Sequence, residues 1–177
     1  VSNPPLHMKS RKPTRLHGYD YSQNGYYFVT MCTYNRIEWF GKIENDQMIL
    51  NECGQVISEC RHDLPNHYRN IKLDESIIMP NHVHGIIIIE NNVGNGLKPF
   101  PTKMHGLSEI IRGFKTFSSR RINEKIINDN AHFHWQKSFY DHVIRSEKEL
   151  IEVREYIVNN PKKWDLDAEN INVGDDH

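Results

Sequence analysis

The sequence has few of the features that hold a chain in a membrane or cross-link it. No apolar run approaches the roughly 20 residues of a transmembrane helix. The stretch 1–13 lacks the apolar core of a secretion signal. The three cysteines, Cys32, Cys53 and Cys60, form neither a paired framework nor a CxxC motif. These absences predict a cytoplasmic protein with no membrane span, in a reducing compartment. Cys53 and Cys60 are seven residues apart, which places them on the same face of a helix, and we expect both to be small core residues.

An excess of one charge is also missing, because 22 Lys and Arg stand against 23 Asp and Glu. This balance does not single out a nucleic-acid binder. The charges are unevenly spread, however, with basic residues before Asp20 and five acids but no Lys or Arg in 165–177. We therefore predict a basic N-terminal arm (1–24), a folded domain (25–164) and an acidic C-terminal tail (165–177).

The folded domain alternates between extended and helical patterns. β-Branched, aromatic and alternating residues predict strands over 25–34, 42–50, 71–79, 83–89 and parts of 133–145. Apolar residues at helical spacing predict helices over 51–64, 106–127 and 146–160, with Pro65 and Pro161 ending the first and last of these. Adjacent strands joined by tight turns favour an α+β protein with a mostly antiparallel sheet and helices packed on it.

Two histidines interrupt the aliphatic stretch "IIMPNHVHGIIII" (77–89). His82 and His84 are two residues apart, so in a strand both side chains point to the same face. Apolar residues on both faces predict a central strand that is covered on both sides. Burying two imidazoles is costly unless they are hydrogen-bonded or bound to a metal. Both interpretations remain open from this strand alone, and a metal would need further ligands.

A second pair with the same spacing occurs in "AHFHW". His132 and His134 follow a polar run and stand at the start of a predicted strand. We expect these two histidines to lie on the surface or at its rim.

The last predicted helix carries a tyrosine and an asparagine one turn apart. Tyr156 lies at the edge of the apolar stripe, and Asn160 falls on the same side four residues later. If this helix packs over the strand with His82 and His84, a phenol and an amide converge on the two imidazoles.

Three blocks in this order, "MPNHVHGIIII", "WQKSFYDHVIR" and "YIVNNP", resemble the single-tyrosine HUH transposases. They are most similar to the REP-associated branch of the IS200-like transposase superfamily. The strand "YFVTMCTYNR" also resembles that family's opening strand, so the resemblance extends over roughly residues 26–164. It implies an RRM-like or ferredoxin-like sandwich, in which helices pack on an antiparallel central sheet.

The resemblance also implies roles for individual residues. His82 and His84 match the metal-binding pair, Tyr156 the nucleophile and Asn160 a third ligand. The implied enzyme cuts single-stranded DNA by transesterification, leaving a 5′-phosphotyrosine and a free 3′-OH, and later rejoins the DNA. Mixed nitrogen and oxygen ligation with open positions suits Mg²⁺ or Mn²⁺.

Single-stranded or hairpin DNA is the implied partner. The enzyme would act as a monomer or a homodimer, since some relatives exchange the tyrosine helix between subunits. The basic candidates for DNA contacts are Arg11, Lys12 and Arg15 in the arm, and Arg112, Lys115, Arg120 and Arg121 in the second helix. The aromatic candidates for stacking on bases are Tyr26, Tyr27 and Trp135. The near-neutral charge departs from more basic members and predicts a modest, salt-sensitive affinity.

Two other functions remain open from the sequence. One is a DNA-hairpin-binding protein without catalysis. The other is a metal-dependent hydrolase of a small substrate, which would use His82 and His84 but not Tyr156. Replacing Tyr156 with phenylalanine separates these possibilities.

Overall fold

A computed structural model describes residues 18–91, 105–125, 131–167 and 169–170. The predicted arm contacts Arg11, Lys12 and Arg15 lie outside this range. The strands are β1 (Gly25–Cys32), β2 (Gly41–Glu44), β3 (Gln47–Leu50), β4 (Ile71–Ile78), β5 (His82–Ile89) and β6 (Tyr140–Ile144). The helices are α1 (Glu52–His67), α2 (Leu107–Lys125) and α3 (Glu147–Val158), with 3₁₀ turns at Tyr34–Arg36 and Pro161–Leu166. None of these helices is long and apolar enough to span a membrane.

Four strands form the central sheet in the order β4-β5-β1-β6, and each neighbouring pair is antiparallel. The β2–β3 hairpin forms a separate small sheet. Without that hairpin, the chain from β1 to β6 follows the ferredoxin-like order β-α-β-β-α-β. The predicted α+β class and antiparallel sheet are therefore confirmed.

Helices cover both faces of the sheet. On one face, α1 and α2 pack against side chains such as Val29 and Ile87 in the main core. On the other face, Leu150 and Ile157 of α3 pack against Phe28 and Ile86. Strand β5 is thus central and covered on both sides, as its apolar pattern predicts. Because side chains alternate along a strand, its histidines share the α3 face with Ile86.

Two features depart from the predicted element boundaries. Helix α1 continues through Pro65 to His67, so the prediction that Pro65 ends it is wrong. Pro65 has no N–H to donate to the carbonyl four residues earlier, but the helix continues past this one missing bond, and the Tyr68 N–H closes it on the Leu64 carbonyl. In 133–145, β6 is the only strand, and Trp135 adds an isolated bridge to Thr33.

The first turn of α3 is tied to β6. The Ser146 hydroxyl caps the helix by accepting from the Glu149 N–H at 3.2 Å. The Glu149 carboxylate accepts from the Arg145 N–H at 2.7 Å and faces His142 Nε2 at 2.6 Å. These contacts fix where the helix begins on the sheet.

The second half of α3 is held by a two-bond ion pair to β4. Arg154 donates from Nε and one terminal nitrogen to the two carboxylate oxygens of Asp74, at 2.8 and 2.5 Å. Asp74 lies where the β4–β5 register shifts, between Leu73 and Ser76. The paired guanidinium holds the pKa of Asp74 below its usual value. Helix α3 is therefore attached to both edges of the sheet, and it crosses β5 between them.

Candidate active site

The two histidines of β5 lie side by side beneath α3. His82 is 0% exposed and His84 is 3% exposed, and their Nε2 atoms are 3.0 Å apart. Burial lowers the pKa of His84 to about 3. Burial, with smaller effects from His84 and Arg36, also lowers the pKa of His82 well below its usual value. Both imidazoles are therefore neutral at pH 7, which is the form that binds metal ions.

The Nδ1 atom of each imidazole has a polar partner. His84 Nδ1 lies 2.8 Å from the Thr30 hydroxyl, and His82 Nδ1 lies 2.9 Å from Asn81 Oδ1. Phe28 stacks on the His84 ring with centroids 5.4 Å apart. Histidines that bind metals commonly have this arrangement, in which the second nitrogen is hydrogen-bonded and the ring cannot turn.

Tyr156 of α3 approaches the pair from above. Its hydroxyl is 3.3 Å from His84 Nε2, while the residue stays 40% exposed. Burial, followed by the charge of Asp167, raises the pKa of the phenol to about 12, and the nearby amide of Asn160 acts in the opposite direction. Tyr156 is therefore a protonated phenol at neutral pH that is open to solvent on one side and contacts the His84 imidazole.

Asn160 contributes an unpaired oxygen atom. The residue is 1% exposed, and within the described residues its Oδ1 has no hydrogen-bond partner. Leaving a buried polar atom unpaired costs about 1–3 kcal/mol. Amide oxygens are ligands for hard divalent cations, so a cation would satisfy this atom. The donor set of two neutral imidazoles and a buried amide oxygen thus fits a divalent metal ion.

Asp167 is a further candidate ligand that the sequence did not single out. One ligand atom each from His82, His84 and Asp167 lie within 4.8 Å of one another. Burial raises the pKa of this carboxyl. Asp167 follows the 3₁₀ turn Pro161–Leu166, in a segment that the sequence assigned to the acidic tail. In the sequence, Asp167 is one of five acids in 165–177 and forms no recognisable motif with Tyr156, so no signal assigns it to the site.

The 3₁₀ turn Tyr34–Arg36, which follows β1, has unusual backbone angles. Asn35 and Arg36 have φ values of 54° and 55°, in the left-handed region that costs non-glycine residues about 1–2 kcal/mol each. Arg36 forms an ion pair with Glu169, and its carbonyl accepts a hydrogen bond from Asn81. The 3₁₀ turn after β1 therefore joins the β4–β5 turn and the segment after α3.

Comparisons with known proteins identify the family of this chain. The family model described as "Transposase IS200 like" matches residues 21–160. The chain belongs to the IS200-like transposase family. An uncharacterised protein of Haemophilus influenzae is 37% identical over 169 residues, which cover 89% of this chain and 91% of that protein. The solved structure of a REP-associated tyrosine transposase bound to a REP hairpin has a TM-score of 0.56 at 18% identity. The match covers 88% of this chain and 74% of that one, and it supports the fold.

In this IS200-like transposase, the basic residues of α2 lie on the far face of the sheet from the histidine pair. Lys115 is largely buried, which lowers its pKa to about 8, and donates to the backbone carbonyls of Gln136 and Ser138 at 2.8 and 2.7 Å. Arg120 and Arg121 pair with acids on α2 and α1. The structure does not bring these side chains, or Arg112, to the site, and their contact with DNA stays a prediction.

Of the aromatic candidates for base stacking, one is accessible. Tyr26 is 37% exposed on β1. Tyr27 and Trp135 are 0% and 9% exposed, and the Trp135 N–H donates to the Ser118 hydroxyl at 2.9 Å. The transposase thus uses both as core residues, and the prediction that they stack on bases is wrong. The sequence gives no signal that distinguishes buried from exposed residues among the aromatic residues beside a family motif.

Proposed function

We propose that this transposase nicks and rejoins single-stranded DNA through a covalent bond between Tyr156 and a 5′ phosphate, at sites that include a hairpin. The observation that carries the proposal is the 3.3 Å approach of the Tyr156 hydroxyl to His84, within a site that one chain assembles from β5 and α3. The transposase of similar fold that is described as bound to a REP hairpin supports hairpin DNA as the partner.

His82, His84 and Asn160 are the residues that would hold Mg²⁺ or Mn²⁺, and Asp167 is a fourth candidate. A cation bound there would withdraw charge from a non-bridging phosphate oxygen and hold the phosphorus for in-line attack. The imidazoles and the amide add no negative charge to repel the phosphate.

Tyr156 performs the covalent step. Its phenol oxygen bonds to phosphorus as the bond from phosphorus to the 3′ oxygen breaks. The phenol's proton is lost and the 3′ oxygen gains one, which leaves a free 3′-OH and a 5′-phosphotyrosine. The reverse attack by a 3′-OH restores the phosphodiester without ATP, because each step exchanges one ester bond for another. Tyr156 is 40% exposed, so DNA can approach this residue from solvent.

The test uses hairpin oligonucleotides labelled at the 3′ end, so that the fragment attached to the protein carries the label. Wild-type protein with Mn²⁺ should give a labelled adduct that survives on a denaturing gel, and Tyr156→Phe should give none. Tyr34→Phe is the matched control, because Tyr34 is 55% exposed outside the site, and this variant should form the adduct normally.

Other results would favour the two alternatives. Hairpin binding by wild-type protein without any adduct, over a range of hairpins and metals, would indicate a non-catalytic DNA binder. Metal-dependent cleavage of a small phosphoester that is unchanged in Tyr156→Phe would indicate a hydrolase. An adduct that persists in Tyr156→Phe would mean that another residue is the nucleophile.

A second chain is not required by this proposal, because the described residues of one chain bring the phenol and both imidazoles together. A monomer would therefore suffice, and sedimentation of the protein with and without hairpin DNA would distinguish it from a homodimer. A cytoplasmic location stays a prediction.

A further inference from the structure

We propose that Asn81 is a positioning residue that holds His82 in one tautomer, with the proton on Nδ1 and the Nε2 lone pair facing the site. The role of that lone pair in holding a cation rests on the proposed function. The assignment of the tautomer does not, because it follows from hydrogen bonds within the chain.

The orientation of the Asn81 amide is determined by its two N–H donors. Asn81 is 0% exposed, and its Nδ2 lies 3.1 Å from the Arg36 carbonyl oxygen and 2.7 Å from the Glu169 carbonyl oxygen. Carbonyl oxygens only accept hydrogen bonds, so the nitrogen of the amide must be on this side. A flipped amide would place its own oxygen against two others and leave both carbonyls without this donor.

Once the amide orientation is fixed, the tautomer of His82 follows. The atom of Asn81 that faces His82 Nδ1, at 2.9 Å, is Oδ1, which has no proton to give. Nδ1 must therefore be the donor, and a neutral imidazole that is protonated on Nδ1 has its lone pair on Nε2. This Nε2 is the atom that lies 3.0 Å from His84 Nε2, on the side where candidate ligands converge.

His84 lacks such a constraint. Its Nδ1 faces the Thr30 hydroxyl at 2.8 Å, and a hydroxyl can either donate or accept. Before a cation binds, His84 can donate from Nε2 to His82 Nε2, with Thr30 donating to Nδ1. Thr30 can then reverse its bond when Nε2 of His84 is needed as a ligand. The two histidines thus differ: His82 is held in one state by Asn81, whereas His84 can adopt either tautomer.

The same amide also makes the site depend on distant parts of the chain. Its two acceptors belong to the left-handed turn after β1 and to the segment after α3, while its backbone carbonyl accepts from the Thr33 N–H at 2.8 Å. Asn81 thereby fixes the β4–β5 turn just before His82, which a hydrogen bond to the imidazole alone would not do.

The direct test is the nitrogen NMR spectrum of the imidazoles in the metal-free, full-length protein. Long-range proton–nitrogen correlations show which ring nitrogen carries the proton, and a His82→Gln variant assigns the His82 signals among the 11 histidines. Wild-type His82 should carry its proton on Nδ1. A proton on Nε2 in folded wild-type protein would overturn the proposal without any variant of Asn81.

Variants of Asn81 test whether the amide is the cause. Asn81→Ala should mix the two tautomers of His82 and weaken Mn²⁺ binding, measured from the free-Mn²⁺ signal, by about 10- to 100-fold. Asn81→Asp keeps an acceptor oxygen and should keep the proton on Nδ1. The control is Asn70→Ala. Asn70 is another buried asparagine that donates to a backbone carbonyl, and it lies at the opposite end of β4 from Asn81. This variant should keep the His82 proton on Nδ1 and bind Mn²⁺ within twofold of wild type.

The outcomes separate this inference from the proposed function. A folded Asn81→Ala protein with wild-type tautomer and Mn²⁺ affinity would overturn the positioning role. If that variant does not fold, loss of the Nδ1 proton in Asn81→Asp would do so. Because neither readout involves DNA, the expected tautomer together with no covalent adduct would remove the proposed function and leave the role of Asn81 intact.

Discussion

The two histidine pairs of this protein share a spacing and little else. His82 and His84 flank a valine, and His132 and His134 flank a phenylalanine. In both cases the middle residue is buried in the main core. The first two histidines are covered by α3, whereas the second two are exposed, and their rings stack on each other with centroids 4.4 Å apart.

The comparison shows that the chemistry open to a His-x-His pair depends on whether the face that carries the histidines, opposite the main core, is also covered by protein. His132 and His134 lie on a segment with one covered face, so both side chains are exposed to solvent. His82 and His84 lie on a strand with two covered faces, so their nitrogens need partners from the protein or from a cation. Among the described residues, the cluster of potential metal ligands includes His82 and His84 but neither His132 nor His134.

The largest predicted effect distinguishes the two pairs by activity. His84→Ala should reduce adduct formation with Mn²⁺ by roughly 10²- to 10³-fold, because the site that stabilises charge on the phosphate loses one of its proposed metal ligands. His134→Ala should change it by less than about twofold. Equal losses in two variants that remain folded by circular dichroism would mean that burial does not separate the pairs.

The second prediction concerns stability and pH. His84 has its pKa lowered to about 3 in the folded protein, whereas an unfolded histidine titrates near 6.5. Below pH 6.5 the unfolded chain takes up a proton that the folded chain does not, so the free energy of unfolding falls as the pH falls. The slope for this histidine is about 1.4 kcal/mol per pH unit between pH 6 and 4.

Urea unfolding at several pH values measures this slope. His84→Gln should lack this slope and His134→Gln should keep it, and identical slopes would contradict the assignment of a buried neutral imidazole.

The third prediction tests what completes the buried pair. Asn160→Ala removes the unpaired buried oxygen and should weaken Mn²⁺ binding by about tenfold or more. Its neighbour Asn159, whose side chain donates to the Glu155 carbonyl, is the matched control, and Asn159→Ala should bind Mn²⁺ normally. Unchanged affinity in Asn160→Ala would mean that the amide is not a ligand.

The smallest predicted effect concerns the cover over the pair. Arg154→Met breaks the ion pair with Asp74, so α3 should hold Tyr156 less accurately over the imidazoles. We expect adduct formation to slow by about threefold to tenfold while hairpin binding stays unchanged. Lys148→Met, on a highly exposed part of the same helix, is the control. A rate equal to that of the control would show that the ion pair does not position the tyrosine.

Local patterns predicted much of this arrangement because the interactions that cause them are local. The two-residue alternation in β5 placed His82 and His84 on one face, and the four-residue spacing placed Tyr156 and Asn160 on one side of α3. In the β2–β3 turn, Asn45 and Asp46 have φ values of 50° and 61°, as a two-residue hairpin requires. The boundaries were less secure, as Pro65 shows, because one lost hydrogen bond does not end a helix that is packed on its core.

The sequence by itself determined which faces are apolar, which residues share a face, and the order of strands and helices, because these depend on neighbours within a few positions. Only the tertiary structure decided that α2 lies away from the histidine pair while α3 covers it, since either helix has an apolar stripe that fits either face of a sheet. It also brought Asp167 and Asn81 to the site. Their contacts join residues up to 88 positions apart in the chain, and no local period records such contacts.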